Sequence, residues 1–348
     1  MSQERLSTST KPPRLSSVDV VKGIAIILMV FGHTEQGAMH RQWWDTMPYF
    51  VRGIQFGDDF IYSFHMPAFF FISGLFLAHS LQRRGPVGFT LEKVRTILYP
   101  YILWGLISDV SMQITAQFRS SVHAFTWHGL VSDLLSGDDG WFLISLFVCQ
   151  LLALAVIRLP HWFQMALALA GCFFIPNAGV LVLYQPFLYF PFVVAGIWIG
   201  GRLMFRVEDL SRSRAWMAFA VLLAIQSAII ALWGPRTRRS MVPLGLSGIL
   251  MLFVLSRGIR GTAGDRALRW FGEASLAILL LSAFCQGTVR EILLRVFHTT
   301  APLPQLLLPI LFATIIPALI WHFQDMLHVG WVFHWPFPTR QGSLTKVS

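Results

Sequence analysis

Among the titratable residues of this 348-residue chain, one lysine and two histidines lie where titratable groups are expensive, inside long apolar runs. Lys22 and His33 are separated by ten residues in SVDVVKGIAIILMVFGH, and His65 opens the run FHMPAFFFISGLF. A charge in hydrocarbon costs on the order of 2.5 to 3.5 kcal/mol, so residues of this kind usually have a task. The spacing from Lys22 to His33 is close to three helical turns and returns to one helix face about 16 Å further along. Asp19, Lys22, Ile26, Met29 and His33 follow one another at three- and four-residue steps and form a single stripe. Asp19 is one turn from Lys22 and can neutralise it. His33 has no such local partner. Its imidazole titrates near neutrality and could take up and return a proton, although a lone histidine also fits a hydrogen-bonded place inside a bundle.

These residues need elements to hold them, and composition identifies the medium. The chain is 55% apolar and 13% charged, with a mean hydropathy of +0.61, more than a soluble core requires. The sequence predicts an all-α, polytopic membrane protein. Ten apolar spans are placed at about 18–37, 59–80, 96–115, 141–157, 162–176, 181–200, 215–233, 241–256, 270–288 and 303–323. They form one bundle over residues 18–323, between a tail over 1–17 and a second tail over 324–348. Residues 36–58, with His40, Trp43, Trp44 and Tyr49, read as an outer loop of interfacial composition. Cys149, Cys172 and Cys285 have no metal-type spacing and read as packing or lipid-facing residues.

The net charge of +10 is a topology signal in such a chain, not a mark of nucleic-acid binding. An even number of spans puts both termini on one side. Placing them in the cytoplasm gathers about 19 of the 27 basic residues there, including Lys22, Arg83, Arg84, Lys93 and Arg95. Arg236, Arg238 and Arg239 are the awkward minority. With this orientation His33 lies about 22 Å up the first span and His65 about 8 Å down the second, in a core about 30 Å thick. The two histidines meet at one level in the outer half.

The segments DVVKGIAIILMVFGH, FHMPAFFFISG and EKVRTILYPYILW strongly resemble the membrane-bound acyltransferase 3 family. Lys22 and His33 match its basic-x10-His signature, and Phe64, His65, Pro67, Ser73 and Gly74 match its FH-x-P…FF-x-SG segment. Trp141-Phe142-Leu143 and YFPFVVAGIWIG are similar to later family segments. The chain departs from the family at 272–282, where Leu279 replaces a tyrosine and Ser282 a histidine, and at the basic pair after span two, where Glu92 stands beside Lys93 and Arg95.

The resemblance implies an O-acyltransferase of the bacterial inner membrane. It would move an acyl group, usually acetyl from acetyl-CoA as co-substrate and with no bound cofactor, to a sugar hydroxyl of an exopolysaccharide, lipopolysaccharide or lipid-linked glycan. Polysaccharide-assembly proteins are candidate partners. Attack by a hydroxyl on a thioester needs a base, for which His33 is the candidate, and cations for the donor phosphates. His65 could orient His33, relay its proton or hold the start of its helix. Lys22, Lys93 and Arg95, with Asp19 and Trp141, are the candidate substrate-binding residues, while the lysines and arginine also serve topology. Asp138 and Asp139 could meet the acceptor or be merely solvated. A solute or glycan transporter and a structural partner in an assembly complex are the competing classes.

Overall fold

Backbone polar groups in lipid must be satisfied within their own segment, and helices do this. The computed structural model describes residues 16–39, 47–114, 131, 140–176, 181–234 and 237–337, and within these it is helical with no strand. The helices are α1 Ser16–Met39, α2 Pro48–Tyr62, α3 His65–Lys93, α4 Tyr99–Ile114, α5 Trp141–Val156 and α6 His161–Phe174. There follow α7 Leu181–Glu208, α8 Arg212–Trp233, α9 Arg238–Gly258, α10 Ala263–Glu273, α11 Ser275–Arg295 and α12 Pro302–His322. Among the described residues, seven helical segments are long and apolar enough to cross a membrane, and α5 and α6 are shorter apolar helices. One of the seven, Pro48–Ile114, contains α2, α3 and α4 end to end.

α1 is the axis of the bundle and packs on α2, α3, α9, α10, α11 and α12. Val20, Val21, Ala25, Ile26, Met29 and Val30 are almost wholly buried, as expected of a helix that is apolar all round and surrounded by protein. Small residues set the closest approaches, because lipid offers no hydrophobic drive between helices and packing must supply the cohesion. Gly23 lies against the Leu268 carbonyl of α10, and Gly272 of α10 lies against the Asp19 carbonyl. Gly74 of α3 faces the Val193 carbonyl of α7, and Gly196 of α7 faces the Phe71 carbonyl.

The expected single span over 59–80 and the outer loop before it are corrected. α1 continues to Met39, and residues 48–62 are helical, breaking at Ser63 and Phe64 before α3 begins at His65. The Ser63 hydroxyl donates to the Phe60 carbonyl at 2.6 Å and accepts from the Gln226 amide of α8 at 2.7 Å. Ser247 of α9 donates in turn to the Gln226 carbonyl oxygen. Buried polar groups thus hold the break together. Pro67 falls in the first turn of α3, where its missing N–H costs nothing, so it starts the helix rather than kinking it. A second break comes at Gly85, whose φ of 68° suits glycine, followed by Pro86.

Residues 323–337 fold back against the start of α4. Tyr99 and Trp104 donate to the carbonyls of Trp331 and Val332, each at 2.8 Å, and Phe333 is fully buried against Trp104 and Trp321. Arg238 donates to the Cys172 and Phe173 carbonyls at the end of α6, at 3.0 and 3.1 Å. This local role accounts for one of the basic residues on the minority side. Cys149 and Cys172 are buried and Cys285 is partly so, all three as free thiols. His40, Trp43, Trp44, Asp138, Asp139, Arg236 and the two chain ends lie outside the described residues.

Candidate active site

His33 is exposed, although Gly32 and Thr34 on either side of it are buried. It is the one exposed residue between two buried ones at this level of α1. Its backbone is fixed by α11. Gln286 donates to the Val30 carbonyl at 3.0 Å, and Arg290 donates to the Thr34 carbonyl. Thr34 itself donates to Val30 at 2.8 Å. α1 is therefore gripped on both sides of His33 by groups one turn apart on a single neighbouring helix.

His65 is different in kind, with none of its surface exposed. Its Nδ1 lies 2.8 Å from the Ile61 carbonyl, to which it donates. The Tyr62 ring stands edge-on to it at 4.7 Å. Tyr62 and Asp58 are also what Gly32 abuts, so Tyr62 lies between the two histidine-bearing segments. The absence of a side chain at Gly32 lets α1 approach α2 here. Burial and a backbone bond favour holding and orienting roles for His65 over direct contact with a substrate.

At the opposite end of the stripe, Lys22 and Asp19 form an ion pair at 3.5 Å, as their spacing predicts. Lys93 lies 5.0 Å from the centre of the Phe89 ring, within cation–π range. Glu92, which stands beside the basic pair in sequence, is engaged elsewhere: it pairs with Arg84 and accepts from Ser80 at 3.3 Å. The turn at Gly85 brings these groups together. Arg95 sits in a π-helical turn, Val94–Leu98, a widened geometry frequent at functional sites.

Between the two ends lies an interior cavity of about 140 Å³. Ile26 and Met29, the middle of the stripe, line it, together with Met66, the π-turn residues Thr96 and Ile97, and Ser275 and Leu279 of α11. Lys22 lies one turn before Ile26, and Arg95 immediately precedes Thr96; Ile26 and Thr96 both line the cavity. Trp141 does not line it. It stacks on Tyr189 at 5.4 Å, and its neighbours Phe142 and Leu143 face the cavity instead.

Four residues around this site were not anticipated: Asp58, Tyr62, Gln286 and Arg290. The signal existed for each pair. Asp58 and Tyr62 are four apart in an apolar stretch, as are Gln286 and Arg290, and polar residues at helical spacing in a span deserve the weight given to Lys22 and His33.

Comparison with known proteins places these features in a lineage. The chain is 28% identical over 233 residues to the nodulation protein NolL of Mesorhizobium japonicum, an overlap covering 64% of this chain and 57% of the relative. The chain thus spans little more than half of that relative's length. No solved structure matches. A family model described as an acyltransferase domain matches residues 15–322, from the start of α1 to the end of α12. With the stripe, the π turn and the paired histidine segments all inside that match, the chain is a multi-pass membrane protein that belongs to the acyltransferase 3 family.

Proposed function

We propose that the protein transfers an acyl group, acetyl by the family resemblance, from acyl-CoA on the cytoplasmic side of a bacterial inner membrane to a hydroxyl of an envelope or exported glycan. One observation carries this reading. A single face of α1 runs from the Asp19–Lys22 ion pair, past Ile26 and Met29 on an interior cavity, to the exposed imidazole of His33. The loop charges put the Lys22 end in the cytoplasm, where Lys22, Lys93 and Arg95 are suited to the donor phosphates. The apolar cavity suits the slim arm that joins the nucleotide to its thioester. His33, at the far end, meets an acceptor arriving from outside.

In the reaction His33 takes the proton of the acceptor hydroxyl as its oxygen bonds to the thioester carbonyl carbon. The tetrahedral intermediate collapses with cleavage of the carbon–sulfur bond. The CoA thiolate leaves towards the cytoplasm and regains a proton, which the imidazolium returns, so the products are an ester and free CoA. His65, through Tyr62, orients the segment that carries His33. The test is O-acetylation of cellular glycans in a His33→Ala strain with normal protein abundance. Loss of at least about a hundredfold is expected for removal of a general base; full acetylation would overturn the assignment.

A further inference from the structure

A surplus of positive charge gathers where two turns meet, the one between α7 and α8 and the one between α9 and α10. The first is flanked by Arg206, Arg212 and Arg214, beside Glu208 and Asp209, and the second by Arg257 and Arg260. Their own cations tie the turns to each other. Arg212 donates to the Arg260 carbonyl at 2.6 Å, and the Arg257 Nε donates to the Glu208 carbonyl at 3.1 Å. Bonds to neutral carbonyls fix the two guanidinium groups but leave their charge uncompensated. No ion pair among the described residues includes any of the five arginines. Asp265, the acid at the start of α10, is already taken by Arg269 and by the Gly261 N–H, at 2.5 and 2.8 Å.

Apolar surface begins one turn away. Trp216 follows Arg212 by four residues, so the two share a face of α8. That face meets the end of α9, since a Cβ added at Gly258 would stand 3.2 Å from the Trp216 indole. The indole is nonetheless 44% exposed, and Met217 and Val221 beyond it are more so. Among the segments able to cross a membrane, α8 is the least covered by the rest of the described residues, which puts this surface against hydrocarbon. An indole between a charged rim and an apolar wall is the arrangement favoured where lipid headgroups give way to acyl chains.

We propose that this corner of the protein holds a phospholipid of net negative charge, with its phosphate at Arg212 and Arg260 and its chains along Trp216, Met217 and Val221. Guanidinium groups suit a phosphate because their N–H groups meet its oxygens two at a time. A soluble anion would match the arginines and leave the apolar wall unused. A zwitterionic lipid would match the wall but bring a cation of its own to a site that already has a surplus. Topology asks only that basic residues lie on one side of the membrane, not that two of them be tied across neighbouring turns. The proposal is independent of acyl transfer.

The experiment compares two lipids on the full-length protein in dodecyl maltoside, with bound lipid counted by native mass spectrometry. Dioleoyl phosphatidylglycerol should be held about tenfold more tightly than dioleoyl phosphatidylcholine, the order expected for a few basic residues at an anionic headgroup. Arg212→Gln combined with Arg260→Gln should abolish that preference, and an excess of glycerol 3-phosphate should leave the bound phosphatidylglycerol in place. Position is read separately, so that the proposal stays testable should the double variant fail to fold. Chain-brominated phosphatidylglycerol should quench the fluorescence that the unsubstituted protein has and Trp216→Phe lacks, at about a tenth of the concentration needed with brominated phosphatidylcholine. Equal affinity for the two lipids, a preference that survives the double substitution, displacement by glycerol 3-phosphate, or absence of the Trp216 quenching would each overturn the proposal.

Discussion

Lys22 is the residue whose duties are hardest to separate, because its ion pair with Asp19 is a structural role and its position below the interior cavity is a functional one. The two can be divided by a cycle of substitutions. Removing either partner alone leaves a charge uncompensated, so Lys22→Met and Asp19→Asn should each lower folded abundance, and the double variant should recover it. Transfer activity per folded molecule, measured against acetyl-CoA concentration, should stay impaired in the double variant through a higher donor KM. Recovery of both together would confine Lys22 to neutralising Asp19. Arg290 poses a different question, since it touches the backbone beside His33 and not His33 itself. A bond from a charged donor to a carbonyl contributes about 1.5 to 3 kcal/mol. Arg290→Gln should therefore lower kcat about tenfold, by loosening the imidazole, while leaving the donor KM unchanged; a rise in donor KM would contradict a positioning role.

Helices α3 and α7 meet through glycines that face backbone rather than side chains, and backbone carbonyls cannot turn aside. Gly74→Val should destabilise the protein by about 1 to 3 kcal/mol, seen as a lower unfolding temperature in detergent. Gly287→Ala, in an equally helical setting but next to open space, should be neutral or stabilising by up to about 1 kcal/mol. Glycine content alone could not have told these two sites apart. Other parts of the architecture were legible, and for a physical reason: helical spacing of costly residues gave the α1 stripe and the Asp19–Lys22 pair. What sequence did not disclose were features decided by partners remote in the chain. The break at Ser63 depends on Gln226 and Ser247, and the engagement of Glu92 depends on a turn at Gly85 that brings Arg84 back towards it.

The orientation of the whole molecule rests on the distribution of basic residues, and it can be tested directly. In intact cells a membrane-impermeant thiol reagent should label Glu291→Cys and not Arg260→Cys; the reverse pattern would invert the donor and acceptor sides. Arg260 is exposed and the Glu291 side chain is about half exposed, so a reagent can reach either position from its own side. A last consequence follows from the central place of α1 and concerns biosynthesis. Chains are made from the N-terminus, so α1 enters the membrane first, yet α10, α11 and α12, which cover much of its surface, are made last. Until then only α2, α3 and α9 are at hand to cover part of its buried face. The Asp19 carboxylate needs no distant helix to be compensated, because Lys22 is one turn away from the outset. The grip of Gln286 and Arg290 on either side of His33, by contrast, arrives only when synthesis is nearly complete. The backbone around His33 is thus fixed by the final helices, and a chain that ends before α11 holds α1 without that grip. On the role proposed for His33, its working geometry is set only after most of the bundle has been made.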